Sequence, residues 1–225
     1  MNTEDSWWLN DKSTKVTRAW NYSQGFNQSK GKGVRIAVID GGFSGLNYHM
    51  GSGKDLEGQI LESEVLNVVL EKNVTFPNGS KGARLENKKL DLEKETNDSI
   101  TNNSSHGTKV IGTIAARVNN GVGISGIAPG AKIIPIKVGV GGRSASWWEV
   151  LGALCNIQCT SSYNCPNIGN PIEDVDVINM SLFTPVGFWG AWDDSFLKEE
   201  NKAKTSFYNI TAELASKGII FVTIA

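Results

Sequence analysis

Histidine is nearly missing from this chain: two in 225 residues, His49 and His106, so any chemistry that needs an imidazole has only two candidates. Charge of one sign is also missing, because the formal net charge is −1 with 20% charged residues, and that leaves no basic field for nucleic acid or anionic lipid. No apolar run approaches the roughly 20 residues that span a bilayer. Neither a nucleic acid nor a membrane is therefore expected as a partner. The N-terminal stretch MNTEDSWWLNDKS has neither a basic start nor an apolar core, so no signal peptide is expected within it. Cysteine is scarce and confined to one stretch, Cys155, Cys159 and Cys165, with no histidine or fourth cysteine nearby. A closed tetrahedral zinc site is not supported by that set. A local disulfide with one thiol left over and three free thiols stand as equal alternatives.

What is present is enough apolar residue, 40% of the chain, for one sizeable core, and a single domain over residues 1–225 is expected. The chain is organised around residues 34–45, VRIAVIDGGFSG. A buried parallel strand reads as a continuous apolar run, and open α/β sheets place their ligands beyond the carboxyl ends of such strands. Asp40 stands at that end. Residues 1–33 are polar with scattered apolar anchors, among them Trp7, Trp8, Val16 and Trp20, and read as a surface lead-in with a short helix. A second strand is expected at residues 65–70. From residue 73 to 105 the composition turns to Asn, Ser, Lys, Glu and Gly, a polar insertion without regular structure. Order returns at His106, where Ser104 or Ser105 would cap a helix whose buried face is Val110, Ile111, Ile114 and Ala115. Gly107 and Gly112 would weaken that helix unless close packing demands them. Strands at 132–138, 175–180 and 218–225 alternate with helices at 146–157 and 206–216. This pattern predicts an α/β fold, a doubly wound parallel sheet. The last strand, GIIFVTIA, is an apolar run at the chain terminus, so the sheet is expected to be truncated on its C-terminal side.

Two readings compete for the opening strand. AVIDGGFSGL approaches the glycine fingerprint of dinucleotide-binding proteins, with Gly42 and Gly45 at the second and third glycine positions and Glu62 or Glu64 near the distance of a ribose-binding carboxylate. Its first position is Asp40, a carboxylate where the turn needs glycine and where the pyrophosphate brings its own negative charge. Repulsion between close like charges in a partly desolvated site would cost several kcal/mol. The other reading makes the aspartate the purpose of the strand. A buried carboxylate there can accept the Nδ1 proton of a histidine, fix its tautomer and stabilise the imidazolium. His49 lies in a loop sequence, LNYHMGSGK, with nothing to aim it and reads as a surface residue. His106, at the start of a helix of small residues, sits where the helix dipole favours the neutral ring of a general base.

VRIAVIDGGF, HGTKVIGTIAA followed by NNGVGISGIAPGA, VDVINMSLF and GIIFVTIA resemble four successive blocks of the subtilisin-like serine proteases, in their order, from about residue 14 to the end. The resemblance implies a serine endopeptidase in which Asp40 orients and His106 is the general base of an Asp-His-Ser triad. It also implies that Ser181 and Leu182 form one wall of a groove that pairs with an extended peptide, with Gly141 and Gly142 on the opposite wall. The chemistry would need no cofactor. A structural calcium is implied at Asp55, Asn120 and the carbonyls of Val118, Val122 and Ile124, where an ordinary glycine turn is the other reading. Secretion is the family expectation.

The chain departs from that pattern. Lys109 stands where a second histidine is common, Phe183 where a glycine is usual, and Arg143 where another small groove residue is usual. No serine occupies the family's Gly-Thr-Ser-x-Ala/Pro setting, and the oxyanion-hole Asn-Gly expected after the last strand is not among these residues. The chain is therefore expected to hold Asp and His of the triad and to be inactive alone, with a missing C-terminal half of the catalytic domain as its partner. A non-catalytic peptide-binding remnant of the same fold is the alternative, and dinucleotide binding the third reading.

Overall fold

The run RIAVID forms β1 (Arg35–Asp40), in which every residue after Arg35 is buried. Such a strand needs a neighbour on both edges and a layer on both faces, and it has all four. In the computed structural model, which describes Leu9 and residues 14–22, 30–75, 79, 81–93, 105–139, 145–157, 171–182 and 194–223, the elements follow in the order α1 (Val16–Tyr22), β1, α2 (Leu46–Met50), β2 (Leu66–Thr75), β3 (Lys81–Lys89), α3 (His106–Ala115), β4 (Lys132–Val138), α4 (Trp147–Cys155), β5 (Val177–Met180), α5 (Asp194–Ser216) and β6 (Ile220–Thr223). The six strands form one sheet in the order β3-β2-β4-β1-β5-β6. All neighbours are parallel except the hairpin of β2 and β3. The α/β doubly wound sheet anticipated from the alternation of strands and helices is the fold observed.

Strand alternation sorts β1 between two cores. Ile36 and Val38 join Ile111 and Ala115 of α3 on one face, while Ala37 and Ile39 join Leu154 of α4 and Ile210 and Leu214 of α5 on the other. With a period of two, Asp40 falls on the α3 face. The chain leaves β1 toward β2 and β4 on one side of the sheet, and leaves β5 toward β6 on the other. The carboxyl ends of β1 and β5 thus flank the point where the winding reverses, the place where open α/β sheets carry their ligands.

The polar stretch 73–105 is not devoid of regular structure. β2 runs on to Thr75, and Lys81–Lys89 returns antiparallel to it across a register irregularity between Glu71 and Val74. One face of the hairpin leans on α4, close enough that a Cβ on Gly152 would lie 2.9 Å from Val68 and 3.0 Å from Leu85. α4 is capped at its start, where Ser146 and Glu149 form a reciprocal capping box. The buried Glu149 also accepts from the Leu70 amide at 3.2 Å, tying helix to hairpin. α5 starts twelve residues before the expected 206, at Asp194. β6 is an edge strand with Ile220 and Val222 exposed, not the buried element its composition suggests. In the lead-in, Trp20 of α1 is buried and donates from Nε1 to the Ile127 carbonyl at 2.9 Å.

Cys155 ends α4 inside the core and is disulfide-bonded, which settles the alternative left open for the cysteines; Cys159 and Cys165 lie outside the described residues. With three cysteines in the chain, one bridge leaves one thiol. Titration of the denatured, unreduced protein should give one thiol per chain and the reduced protein three, and three thiols before reduction would contradict the bridge.

Candidate active site

The end of β1 is a buried carboxylate. Asp40 is 2% exposed and its Oδ1 accepts the Gly41 amide at 2.8 Å. Burial pushes its carboxyl above the ordinary range, and His106 together with the Gly41 and Gly42 amides offsets only part of that.

α3 delivers the partner. His106 is its first residue, with Nδ1 2.8 Å from Asp40 Oδ2 and 3.1 Å from Oδ1. An ionised carboxylate only accepts, so Nδ1–H donates and the lone pair is left on Nε2. The carboxylate is sealed while the histidine side chain is 51% exposed. Such a pair can take a proton at Nε2 from a group arriving from solvent and stabilise the resulting imidazolium from behind. Ser105 occupies the N-cap but makes no side-chain capping bond, and Ser104, the other expected cap, lies outside the described residues.

Docking to the turn after β1 holds this end of the helix. The Gly107 amide donates to the Gly42 carbonyl at 2.9 Å, and Thr108 Oγ1 donates to the Ser44 carbonyl at 2.9 Å. Between them the fully buried Phe43 lies under Gly107, where a Cβ would come 2.5 Å from the ring and 2.7 Å from the Gly42 carbonyl. The sequence reading found Gly107 but not Phe43 or Thr108; the phenylalanine beside the Asp-Gly-Gly turn was the signal available. Of the expected buried face of α3, Ile111 and Ala115 are buried, whereas Val110 and Ile114 are only partly so. Gly112 has more room than Gly107, its nearest neighbour being Ile124 Cδ1 at 3.4 Å.

Other expected residues separate. His49 is not in an open loop but in the last turn of the short helix α2, where it stacks edge-on against Tyr48. Ser181 follows β5, half-buried, and donates to Asn179 Oδ1 at 3.0 Å. Leu182 packs against the α4–α5 core. The β1–β5 ladder runs to Val38 and Asn179, so Ser181 leaves the sheet beside the Asp40 end. Gly141 and Gly142, like Arg143 and Phe183, lie outside the described residues. Lys109 is exposed.

Of the residues expected to hold a cation, Asp55, Asn120 and Ile124 are joined by hydrogen bonds, and the Val122 amide lies 3.4 Å from Asn120 Oδ1. Asp55 is 9% exposed; Oδ1 accepts from Asn120 Nδ2 and Oδ2 from the Ile124 amide, each at 3.0 Å. Gly123, at φ 52°, leaves no room for a side chain, since a Cβ would lie 1.8 Å from Asp55 Oδ2. The loop from Asn120 to Ile124 therefore wraps the carboxylate, while Val118 lines a separate concavity with Glu57 and Arg117. Asn120 and Ile124 turn N–H groups to the carboxylate here, whereas calcium takes oxygen ligands. Among the described residues no three His, Cys, Asp or Glu side chains cluster as a metal site.

At the point where its winding reverses, the doubly wound α/β sheet thus carries a sealed carboxylate bonded to a half-exposed imidazole. The Subtilase family profile matches residues 31–225. The chain belongs to the subtilase family of serine proteases. It is 31% identical over 159 residues to the major intracellular serine protease of Bacillus subtilis, covering 69% of this chain and 36% of that protein. It is 40% identical over 98 residues to subtilisin E of Bacillus subtilis, covering 43% of this chain and 21% of the other. An extracellular protease of Xanthomonas campestris is 40% identical over 79 residues, 35% of this chain and 13% of that one. The chain thus spans at most 36% of the length of these relatives. A solved protease structure from Pseudoalteromonas arctica shares the fold with a TM-score of 0.50 at 24% identity, over 98% of this chain and 56% of that one.

Replacing Gly107 by alanine drives a methyl into Phe43 and a backbone carbonyl, neither able to yield cheaply. Overpacking of this kind costs about 1–3 kcal/mol. Denaturant unfolding of Gly107→Ala should show that loss, while Gly112→Ala should cost less; equal effects would contradict the docking described.

Proposed function

We propose that this chain supplies the acid–base half of a serine-protease site: His106 takes the proton of a serine hydroxyl as it attacks a peptide carbonyl and returns it to the leaving amine, and Asp40 holds Nδ1–H and stabilises the imidazolium. The observation that carries this reading is the 2.8 Å contact from a sealed carboxylate to a half-exposed ring at the end of the central strand. The substrate is a peptide or protein whose extended backbone pairs along Ser181 and Leu182, with Gly141 and Gly142 on the other side. No serine among the 225 residues stands in the nucleophile setting, so the reading assigns no peptide hydrolysis to these residues alone. The disulfide at Cys155 and the relatives that are extracellular by name support an oxidising, secreted setting, while another relative is intracellular by name.

The Asp55 loop would hold a structural calcium through Asp55, the Asn120 side-chain oxygen and the carbonyls of Val118, Val122 and Ile124. Bound there, the ion would supply charge that pins the loop against α3's exit and would take no part in the chemistry. Both Asp55 oxygens now accept from Asn120 and Ile124, so Asn120 must turn its amide to present oxygen. Calcium at about a hundred times its dissociation constant would add about 2.7 kcal/mol of stability. Thermal unfolding should rise with calcium in the parent and not in Asp55→Ala; an equal rise in both would end the assignment.

Asp40→Asn separates function from stability. In a form of the protein that also carries the serine, hydrolysis of a chromogenic peptide should fall about 10⁴-fold, as expected when the histidine loses its carboxylate. Because the folded-state carboxyl is raised, the folded chain holds that proton more tightly than the unfolded chain, and stability declines as pH rises through the window between the two values. Asparagine removes this cost, so the variant should unfold at a higher temperature than the parent at neutral pH, with the gain vanishing in acid. Full hydrolytic activity in Asp40→Asn would refute the assignment.

A further inference from the structure

At the end of the sheet away from Asp40 lies a second concavity, of about 540 Å³, whose lining carries four cations, Lys30, Lys32, Arg117 and Lys132, and one carboxylate, Glu57. Its position follows from the register. Lys132 pairs with Arg35 at the start of β1, whereas Asp40 pairs with Lys137, so the two sites are five residues apart along the strands, roughly 17 Å at the usual rise per residue. The concavity is broad and open to solvent.

The charges in it are not balanced from within. Arg117 Nη1 is paired with Glu57 Oε2. That pair is neutral, and three lysines remain. Lys132 donates to the Gly58 carbonyl, and Lys30 lies 4.9 Å from the centre of the Trp20 ring; both contacts hold an ammonium in place without cancelling its charge. Lys32 is exposed. Three lysines that form no ion pair among the described residues thus line one concavity in a protein whose net charge is −1.

The walls are fixed before any ligand arrives. Gln59 is buried and its Nε2 donates to the Ala115 carbonyl at 3.2 Å and to the Pro129 carbonyl. The Gly130 amide donates to the Lys30 carbonyl at 2.9 Å. Gly31, at φ 86°, lies so close that a Cβ would be 2.9 Å from Ala128. Trp20 beneath Lys30 is itself pinned by its bond to Ile127. Cations on separate, tied-down elements form a preorganised receptor, which lowers the ordering cost of binding.

We propose that this concavity binds a phosphate group, free or esterified, with Lys30, Lys32 and Lys132 as its counter-charges. A tetrahedral dianion accepts from several directions at once, which suits ammonium groups arriving from the turn before β1 and from the start of β4. Occupancy would tie the lead-in to the body of the sheet and stabilise the folded state by mass action.

Titration calorimetry at fixed ionic strength, on protein freed of divalent cations, tests this with inorganic phosphate and glycerol phosphate as probes and acetate as the monovalent control. Saturable one-site binding of at least one phosphate probe and none of acetate is expected. Tighter binding of glycerol phosphate would identify an esterified ligand, and tighter binding of inorganic phosphate the free ion. Lys32→Gln, on an exposed side chain that leaves folding untouched, should weaken binding about threefold, and Lys30→Gln about tenfold. Absence of saturable binding by both probes, or unchanged affinity in both variants, would overturn the proposal.

Discussion

The docking of α3's first turn onto the residues that follow β1 is the constraint on which the rest of the structure depends. Gly107 and Thr108 bond the carbonyls of Gly42 and Ser44, Phe43 fills the space under the helix, and His106 is thereby set 2.8 Å from Asp40 without a capping bond from Ser105. Each partner explains a local oddity of the other. A glycine in the first turn of a helix is unfavourable until a ring lies against it, and a carboxylate in the core is unfavourable until a donor faces it. The pairing is compensated only in part, since burial still keeps the Asp40 carboxyl above its ordinary range. Strain of that kind at a strand end is a cost in stability that serves a site and not a core.

The sheet separates unlike electrostatic tasks. Its carboxyl ends carry the sealed Asp40 and the half-exposed His106, beside which Ser181 leaves β5. Its amino ends carry the lysines and Arg117 around a polar concavity. Between the two, Asp55 is wrapped by the loop after α3, whose preceding residue Arg117 donates its amide to the Asp55 carbonyl at 2.7 Å while its side chain faces the concavity. A single helix exit therefore joins the loop proposed for calcium to the pocket proposed for phosphate.

Where one local rule governed a segment, the sequence was enough to read it. β1 and β4 each carry a short apolar run, Ile36 to Ile39 and Ile133 to Ile136, and each lay within a residue or two of its expected place. Asp40 and His106 could be paired because the chain offers so few histidines and because the four blocks occur in order. The segments that escaped are those shaped by partners distant in sequence. β3 has no alternation to reveal it, since its identity comes from pairing with β2 and from Leu85 leaning on Gly152. α5 extends through a stretch, DSFLKEENKAK, whose polar composition masks a helix that packs on α4 through Phe207, Ile210 and Leu214. Residue composition likewise made β6 a buried strand, when its place at the edge exposes Ile220 and Val222.

The central claim is that Asp40 fixes the tautomer of His106 so that Nε2 is the basic nitrogen. Only two histidines are present, so nitrogen-15 NMR of the two imidazoles can be assigned with a single His49→Gln variant. In the neutral ring the account predicts that His106 is protonated at Nδ1, with that proton protected from exchange and strongly deshielded, and unprotonated at Nε2. A His106 ring that is protonated at Nε2, or that populates both tautomers as a free imidazole does, would contradict it.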